Sequence, residues 1–324
     1  MTTSWLTVAD GTKLFVRRWK PAGEAVAALQ IVHGMGEHSL RYERFASRLC
    51  EAGIEVWAAD MRGHGLTANS KVNSPAKGGL PGHCADRRAP ARLIADIHRV
   101  GLSLREKHPN IPLFLMGHSW GSFLVQSYIE NYREPRLAGC ILSGTKGPDG
   151  GALVALGGPF LSVLMLFRKP RSKSRLAAGL ADGAYKKAFS PARTPYDWLS
   201  RDEAEVEAYR EDPLCGQMPS IAFYRDLAFT LSKIHLKKNM ARIPRDLPIY
   251  VFSGSRDPVG NSGESPKSLV ERYTKLGIND IEFVLYPDAR HEMLHETNYE
   301  EAQENLFAWI QKHVRAVREW KMEN

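Results

Sequence analysis

The stretch LFLMGHSWGSFLV, residues 113–125, begins as an apolar run fit for a buried strand and ends as a helical pattern, with Ser119 at the junction. A serine on so abrupt a strand-to-helix turn needs small neighbours two residues to either side, because a side chain at either place would crowd the bend. Gly117 and Gly121 meet that need. The serine then projects above the sheet edge at a helix N-terminus, where unpaired backbone N–H groups favour developing negative charge. A bare G-x-S-x-G is short enough to arise by chance, and the plain alternative is a glycine turn without chemistry. Its place between strand and helix argues for a nucleophile.

Outward from this turn the chain alternates. Residues 13–19 read as an alternating strand, and 25–34, 53–60, 111–117 and 137–144 as buried strands, with helical patterns near 41–52, 90–108 and 120–133. This order predicts an α/β fold with a mostly parallel central sheet covered by helices on both faces. The alternation stops after Gly144 and resumes with a strand in 247–257, a helix near 264–276, a strand at 281–287 and a final helix near 298–318. The intervening residues carry helical patterns broken by Pro and Gly and no clear strand. The expected division is a core of residues 1–144 and 247–324 with a helical cap, 145–246, over the C-terminal sheet edge, where ligands of open α/β sheets bind.

A nucleophilic serine needs a base, and the base an orienting acid. On a turn of this kind the chain order is serine, acid, histidine. Asp257 fits the acid, in the loop SRDPVG after the resumed strand; Glu264 in the following helix and Asp202 in the insertion are less well placed. His291 fits the base, in the loop PDARHEM after the last strand. His295 lies four residues on, while His33, His38, His64, His83 and His118 all precede the acid. Acyl transfer also needs oxyanion donors. Trp120, next to the nucleophile, supplies one backbone N–H, and Met35, in the loop HGMGEHS, the second.

Composition bounds the rest. The 324 residues are 43% hydrophobic and 25% charged, enough for one large domain or a domain with an insertion. The N-terminus MTTSWLTVADG has neither a basic nor an apolar leader region, so a cytoplasmic protein is expected. Four scattered cysteines lack the spacing of a metal site or a disulfide framework and read as reduced thiols. The formal net charge is +8, but the basic residues are dispersed without a recognition motif, which argues against nucleic acid. One cluster, FRKPRSKSR at 167–175, follows the apolar stretch 152–167, which is too short and too interrupted by Gly157, Gly158 and Pro159 to span a bilayer. The first reading is a cap helix packed on its own protein. The alternative is weak contact with a membrane surface, Arg168, Lys169, Arg171, Lys173 and Arg175 meeting phosphates. The same stretch is also expected to line a channel for an acyl chain.

With HGMGEHSLRY at 33–42, DMRGHG at 60–65, GHSWG at 117–121, SGSRDPVG at 253–260 and ARHEMLHE at 289–296, the chain resembles α/β-hydrolases of the monoacylglycerol lipase and lysophospholipase group. The resemblance covers nearly all of the chain outside the insertion, and within it only 194–216. It implies Ser119 as nucleophile, His291 as base, Asp257 as its partner, and Met35 and Trp120 as oxyanion donors. The implied activity is hydrolysis of monoacylglycerol, lysophospholipid or small acyl esters, with no metal or organic cofactor. Two departures stand out. Trp120, Gly121 and Ser122 replace the methionine and paired glycines frequent in the family, so the indole is expected to narrow or reshape the acyl pocket. Residues 78–93 lack the family's pattern and have no functional reading.

Three alternatives keep the fold. An aminopeptidase, amidase or acyltransferase would use the same triad; the acids of 200–212 could hold a substrate amine, but they recur all round a helix, as on a solvated face. A non-catalytic ligand-binding protein would be favoured by a broken triad, and this one is intact. Dehalogenase or epoxide hydrolase chemistry is disfavoured by serine, rather than aspartate, on the turn.

Overall fold

Strands and helices alternate along the chain as the hydrophobic periodicity predicts. The computed structural model describes residues 1–133, 136–148 and 151–323. Its strands are β1 (Thr2–Thr7), β2 (Lys13–Trp19), β3 (Ala27–Val32), β4 (Ile54–Ala59), β5 (Leu113–His118), β6 (Gly139–Ser143), β7 (Ile249–Gly254) and β8 (Ile281–Tyr286). Its helices are α1 (Glu43–Glu51), α2 (Ala89–Lys107), α3 (Trp120–Asn131), α4 (Gly151–Phe167), α5 (Arg175–Lys187), α6 (Glu203–Glu211), α7 (Ile221–Ile234), α8 (Lys237–Met240), α9 (Glu264–Lys275) and α10 (Tyr299–Glu323).

The eight strands form one sheet in the order β1-β2-β4-β3-β5-β6-β7-β8. β3 to β8 run parallel, and β1 and β2 pair antiparallel at one edge. Side chains alternate between the two faces, as strand geometry requires. Phe114 and Met116 pack with Phe45 and Leu49 of α1 and Leu306 and Trp309 of α10. Leu115 faces the other way, toward Leu93 of α2, Leu124 of α3 and Leu269 of α9.

The sequence reading missed β1. Its residues are exposed or half-buried on the sheet edge, so no apolar run marks it. The signal was the turn instead. Asp10-Gly11 closes a hairpin, with Gly11 at φ +82° and the Val8 N–H donating to the Thr12 carbonyl at 2.9 Å.

Helices α4 to α8 lie between β6 and β7. Of the apolar stretch 152–167, the side chains of 152–155 lie outside the described residues. Leu161 is buried and α4 packs on α7, as the first reading of this helix expects. Residues 78–93 gain a structural reading: they are the seat for this helical segment. Ser220 N–H donates to the Gly82 carbonyl at 2.8 Å, the His83 ring bonds Ser220 Oγ at 2.9 Å, and Arg171 grips Asp86 through two bonds of 2.8 and 2.6 Å.

Candidate active site

Ser119 sits between β5 and α3 at φ +51° and ψ −123°, a left-handed backbone that a non-glycine residue adopts only under constraint. The constraint is visible. Its N–H donates to the Ser143 carbonyl of β6 at 2.9 Å, which ties the turn to the neighbouring strand. A Cβ at Gly117 would lie 2.6 Å from the Gly121 carbonyl oxygen, and one at Gly121 would lie 2.2 Å from that of Val32. Both glycines are therefore required by close backbone approach, as the turn's chemistry demands.

Asp257 follows β7 and His291 follows β8, so adjacent parallel strands deliver both to the same sheet edge. His291 Nδ1–H donates to Asp257 Oδ2 at 2.9 Å, and both side chains are buried. Asp257 also accepts from the Val259 N–H at 2.8 Å and the Ser253 hydroxyl at 3.2 Å. Burial alone would raise the Asp257 pKa, but the His291 charge and these donors outweigh it and hold the carboxyl below its ordinary value. Burial likewise pulls His291 down, and the facing Asp257 carboxylate reverses the sign, leaving the imidazole above its ordinary value. His291 Nε2 is buried without a hydrogen-bond partner among the described residues. His291 and Ser119 line one cavity of about 180 Å³, together with His118 and Met35.

The loop bearing Met35 is braced on three sides. Gly34 N–H and Tyr42 OH both donate to Glu37, and Gly36 O accepts from Tyr209 OH and Gly216 N–H, each at 2.8 Å. His33 takes the Met61 N–H on Nε2 at 2.9 Å and meets the Gly34 carbonyl through Nδ1 at 2.7 Å, which fixes a neutral Nδ1–H tautomer. Burial agrees, pushing the His33 pKa down.

The remaining histidines separate by partner. His295 bonds Glu205 at 2.9 Å, His38 bonds Asp212 at 2.8 Å and His83 bonds Asp86 at 3.0 Å. His64 stacks on Trp120 with ring centroids 5.0 Å apart. His118 packs 4.8 Å from His291, and burial lowers its pKa to about 4. The competing acids are also placed apart from the pair: Asp202 caps α6 through the Ala204 N–H, and Glu264 opens α9.

Sequence reasoning missed a buried clamp. Arg41 donates to both oxygens of Glu292 at 2.6 and 2.7 Å and to Glu37 at 3.0 Å, joining the Met35 loop to the His291 loop. It also missed Trp198, which covers His291 with ring centroids 5.0 Å apart. Arg41 and Glu37 stand inside the quoted 33–42 motif, and that motif was their signal.

Comparison with known proteins points to the same fold. The Hydrolase_4 family model, described as serine aminopeptidase, S33, matches residues 23–298. The chain is 25% identical over 312 residues to a monoacylglycerol lipase of Mycolicibacterium smegmatis, covering 94% of this chain and 95% of that one. It is also 25% identical over 315 residues, 95% of this chain, to an uncharacterized abhydrolase domain-containing protein of Dictyostelium discoideum, of whose length it spans only 29%. A thermostable carboxyl esterase from Bacillus coagulans, solved in complex with glycerol, superposes with a TM-score of 0.87 at 26% identity, over 97% of this chain and 99% of that one. With an α/β-hydrolase sheet and a family match over most of its length, the chain belongs to the Hydrolase_4 family, serine aminopeptidase S33.

Proposed function

We propose that the protein is a carboxylic ester hydrolase that works through Ser119, His291 and Asp257 and an acyl-enzyme. His291 Nε2 takes the Ser119 proton as the hydroxyl oxygen attacks the ester carbonyl; Asp257 holds the imidazole by Nδ1–H and stabilises its cation. The backbone N–H groups of Met35 and Trp120 receive the tetrahedral oxyanion. Collapse expels the alcohol, which takes the proton from His291. Water then attacks the acyl-enzyme with His291 again as base, and the acid leaves. The chemistry draws on these side chains and amides alone. Residues 145–246 act as the cap, and monoacylglycerols, lysophospholipids and smaller acyl esters are the substrate classes.

The observation that carries this reading is the buried His291–Asp257 pair, whose histidine lines one cavity with a serine held at φ +51°. The monoacylglycerol lipase and carboxyl esterase relatives support ester over amide substrates. So do the acids. Glu37 and Glu292, which line the cavity, are both paired with Arg41, while Glu205 and Glu207 of the cap are bound to Arg44 and Arg193. None stands ready for a substrate amine. The test is hydrolysis of p-nitrophenyl butyrate and labelling by a fluorophosphonate, with wild type and Ser119→Ala side by side. The expected loss is about ten-thousand- to a million-fold in kcat, with labelling abolished; a mutant that keeps either one sinks the proposal.

A lipid surface as partner of the cap is favoured by one observation. On α4, Leu156, Phe160, Val163 and Phe167 recur at helical spacing and are all exposed, beside Leu166 and the basic run that follows. No described helix is long and apolar enough to cross a membrane, so contact would be peripheral. A cytoplasmic setting is supported by four cysteines that are all free thiols.

A further inference from the structure

The cavity around Ser119 is small for a lipid. Its volume is about 180 Å³, and a protein cavity of about 150 Å³ holds a single benzene. It therefore encloses about six to eight non-hydrogen atoms, shared between the reacting ester group and whatever flanks it. An unbroken acyl chain of lipid length does not fit inside. The described residues of α4 line none of it; the cap's part of the wall comes from Ala178, Tyr196, Trp198, Leu199, Tyr209 and the 216–219 turn, with Tyr224 of α7. The acyl channel expected along 152–167 is thus not built from that helix's described residues.

Trp120 and Phe223 stand outside this lining and fill the space behind its Tyr224 wall. The Trp120 indole is buried, stacked on His64 and packed against Phe223 with centroids 5.0 Å away in both cases. Phe223 in turn meets Tyr224, the cavity wall, edge to face at 6.0 Å. Beyond the indole, among Cys84, Ala89, Leu93 and Leu124, only about 10 Å³ remains, at the lower limit of what one water requires. Most of the lining there is apolar, with Asp226 and Thr230 at its far side, so removing the indole would open room next to hydrocarbon side chains.

We propose, on the footing of the ester hydrolase reading, that the enzyme is selective for short acyl chains and that Trp120, wedged by His64 and Phe223 behind the Tyr224 wall, is the end-stop that keeps the cavity from extending further. Methylenes beyond the stop stay in water or clash with the wall, and neither helps the transition state. The two groups of Trp120 have separate duties: its amide serves the oxyanion, and its indole limits how deep the cavity can run.

The experiment is kcat/KM across p-nitrophenyl acetate, butyrate, hexanoate, octanoate and decanoate for wild type, Trp120→Ala and Phe223→Ala. Wild type should peak at butyrate or hexanoate and fall about tenfold or more by decanoate, since one misfitting methylene already costs about tenfold. Both variants should raise the decanoate-to-butyrate ratio, Trp120→Ala the more. Phe223→Ala and the wild-type profile carry the test if Trp120→Ala does not fold. Wild-type activity that is highest at decanoate overturns the short-chain inference while leaving ester hydrolysis intact. An unchanged ratio in the folded variants overturns the end-stop. No hydrolysis of any ester removes the parent reading and this one with it.

Discussion

The sheet edge that carries Ser119 and the helix α4 are made of opposite materials. At the edge, charged and polar side chains are buried and nearly every one is paired: Asp257 with His291, Arg41 with Glu37 and Glu292, Arg17 with Asp60. On α4 several apolar side chains are exposed, with Leu166 79% and Phe167 80% accessible. Buried charge is tolerated only where partners hold it in place, and the return is fixed geometry. Exposed hydrocarbon costs the fold little but leaves a surface that suits another apolar phase. The first region is therefore built to position atoms, and the second to meet something outside.

Breaking the edge should have the largest effects. In Asp257→Asn, His291 loses the charge that raises its pKa and the acceptor that sets its tautomer, and kcat should fall about ten-thousand-fold. The pH profile adds the sign. In the proposed mechanism neutral His291 is the base, and its pKa lies above the ordinary value, so wild-type kcat/KM should rise with pH through a midpoint above about 6.5. The residual activity of the variant should have its midpoint moved down. A variant whose midpoint stays put would show that Asp257 does not control the imidazole.

Arg41→Met comes next. It strands Glu37 and Glu292 without their cation in a buried site, and removing one partner of such a cluster costs about 3–5 kcal/mol. Urea unfolding should read this loss. Activity should suffer as well, because the clamp joins the loop of Met35 to that of His291.

One buried acid breaks the edge's rule of pairing, and it lies elsewhere, on α3. Glu130 is buried, its Oε1 has no partner among the described residues, and burial pushes its pKa up to about 9. At neutral pH the folded chain keeps this proton and the unfolded chain releases it, so Glu130 opposes folding above its ordinary pKa. Glu130→Gln should stabilise by about 1–3 kcal/mol at neutral pH, with the gain vanishing below about pH 4. Thermal melts across that range would show it; a gain independent of pH would mean packing, not ionisation, is responsible.

Legibility in the sequence follows the same division. β3 to β7 were readable because burial on both faces makes them largely apolar runs, and β8, though half-exposed at the other edge, because it still carries Ile281, Phe283, Val284 and Leu285; the proposed triad of Ser119, Asp257 and His291 was picked out because each follows one of these strands. β1 was not, since an edge strand needs no apolar run. The clamp was not either: Arg41, Glu37 and Glu292 look like surface residues until the fold brings residues 251 apart in sequence within 2.6 Å. Trp120 was legible as bulk but not in direction. Nothing in GHSWG tells that its indole turns to His64 and Phe223 behind the cavity.

The smallest expected effect on stability probes the other side of the comparison. Leu166 and Phe167 are so accessible that replacing both with serine removes almost no packing, and substitutions at such sites usually stay within about 0.5 kcal/mol. The melting curve should therefore hardly move, and hydrolysis of p-nitrophenyl butyrate in solution should be unchanged, since neither residue lines the cavity. Sedimentation with phosphatidylglycerol vesicles should drop in the variant if this face meets lipid, because the buried apolar area that drives interfacial binding is what has been deleted. Neutralising Arg168, Lys169 and Arg175 to glutamine should lower the same binding further and flatten its salt dependence. Vesicle binding that survives both sets of changes, or that is absent in the wild type, would return α4 to the role of a helix packed on its own protein, with its exposed hydrocarbon incidental.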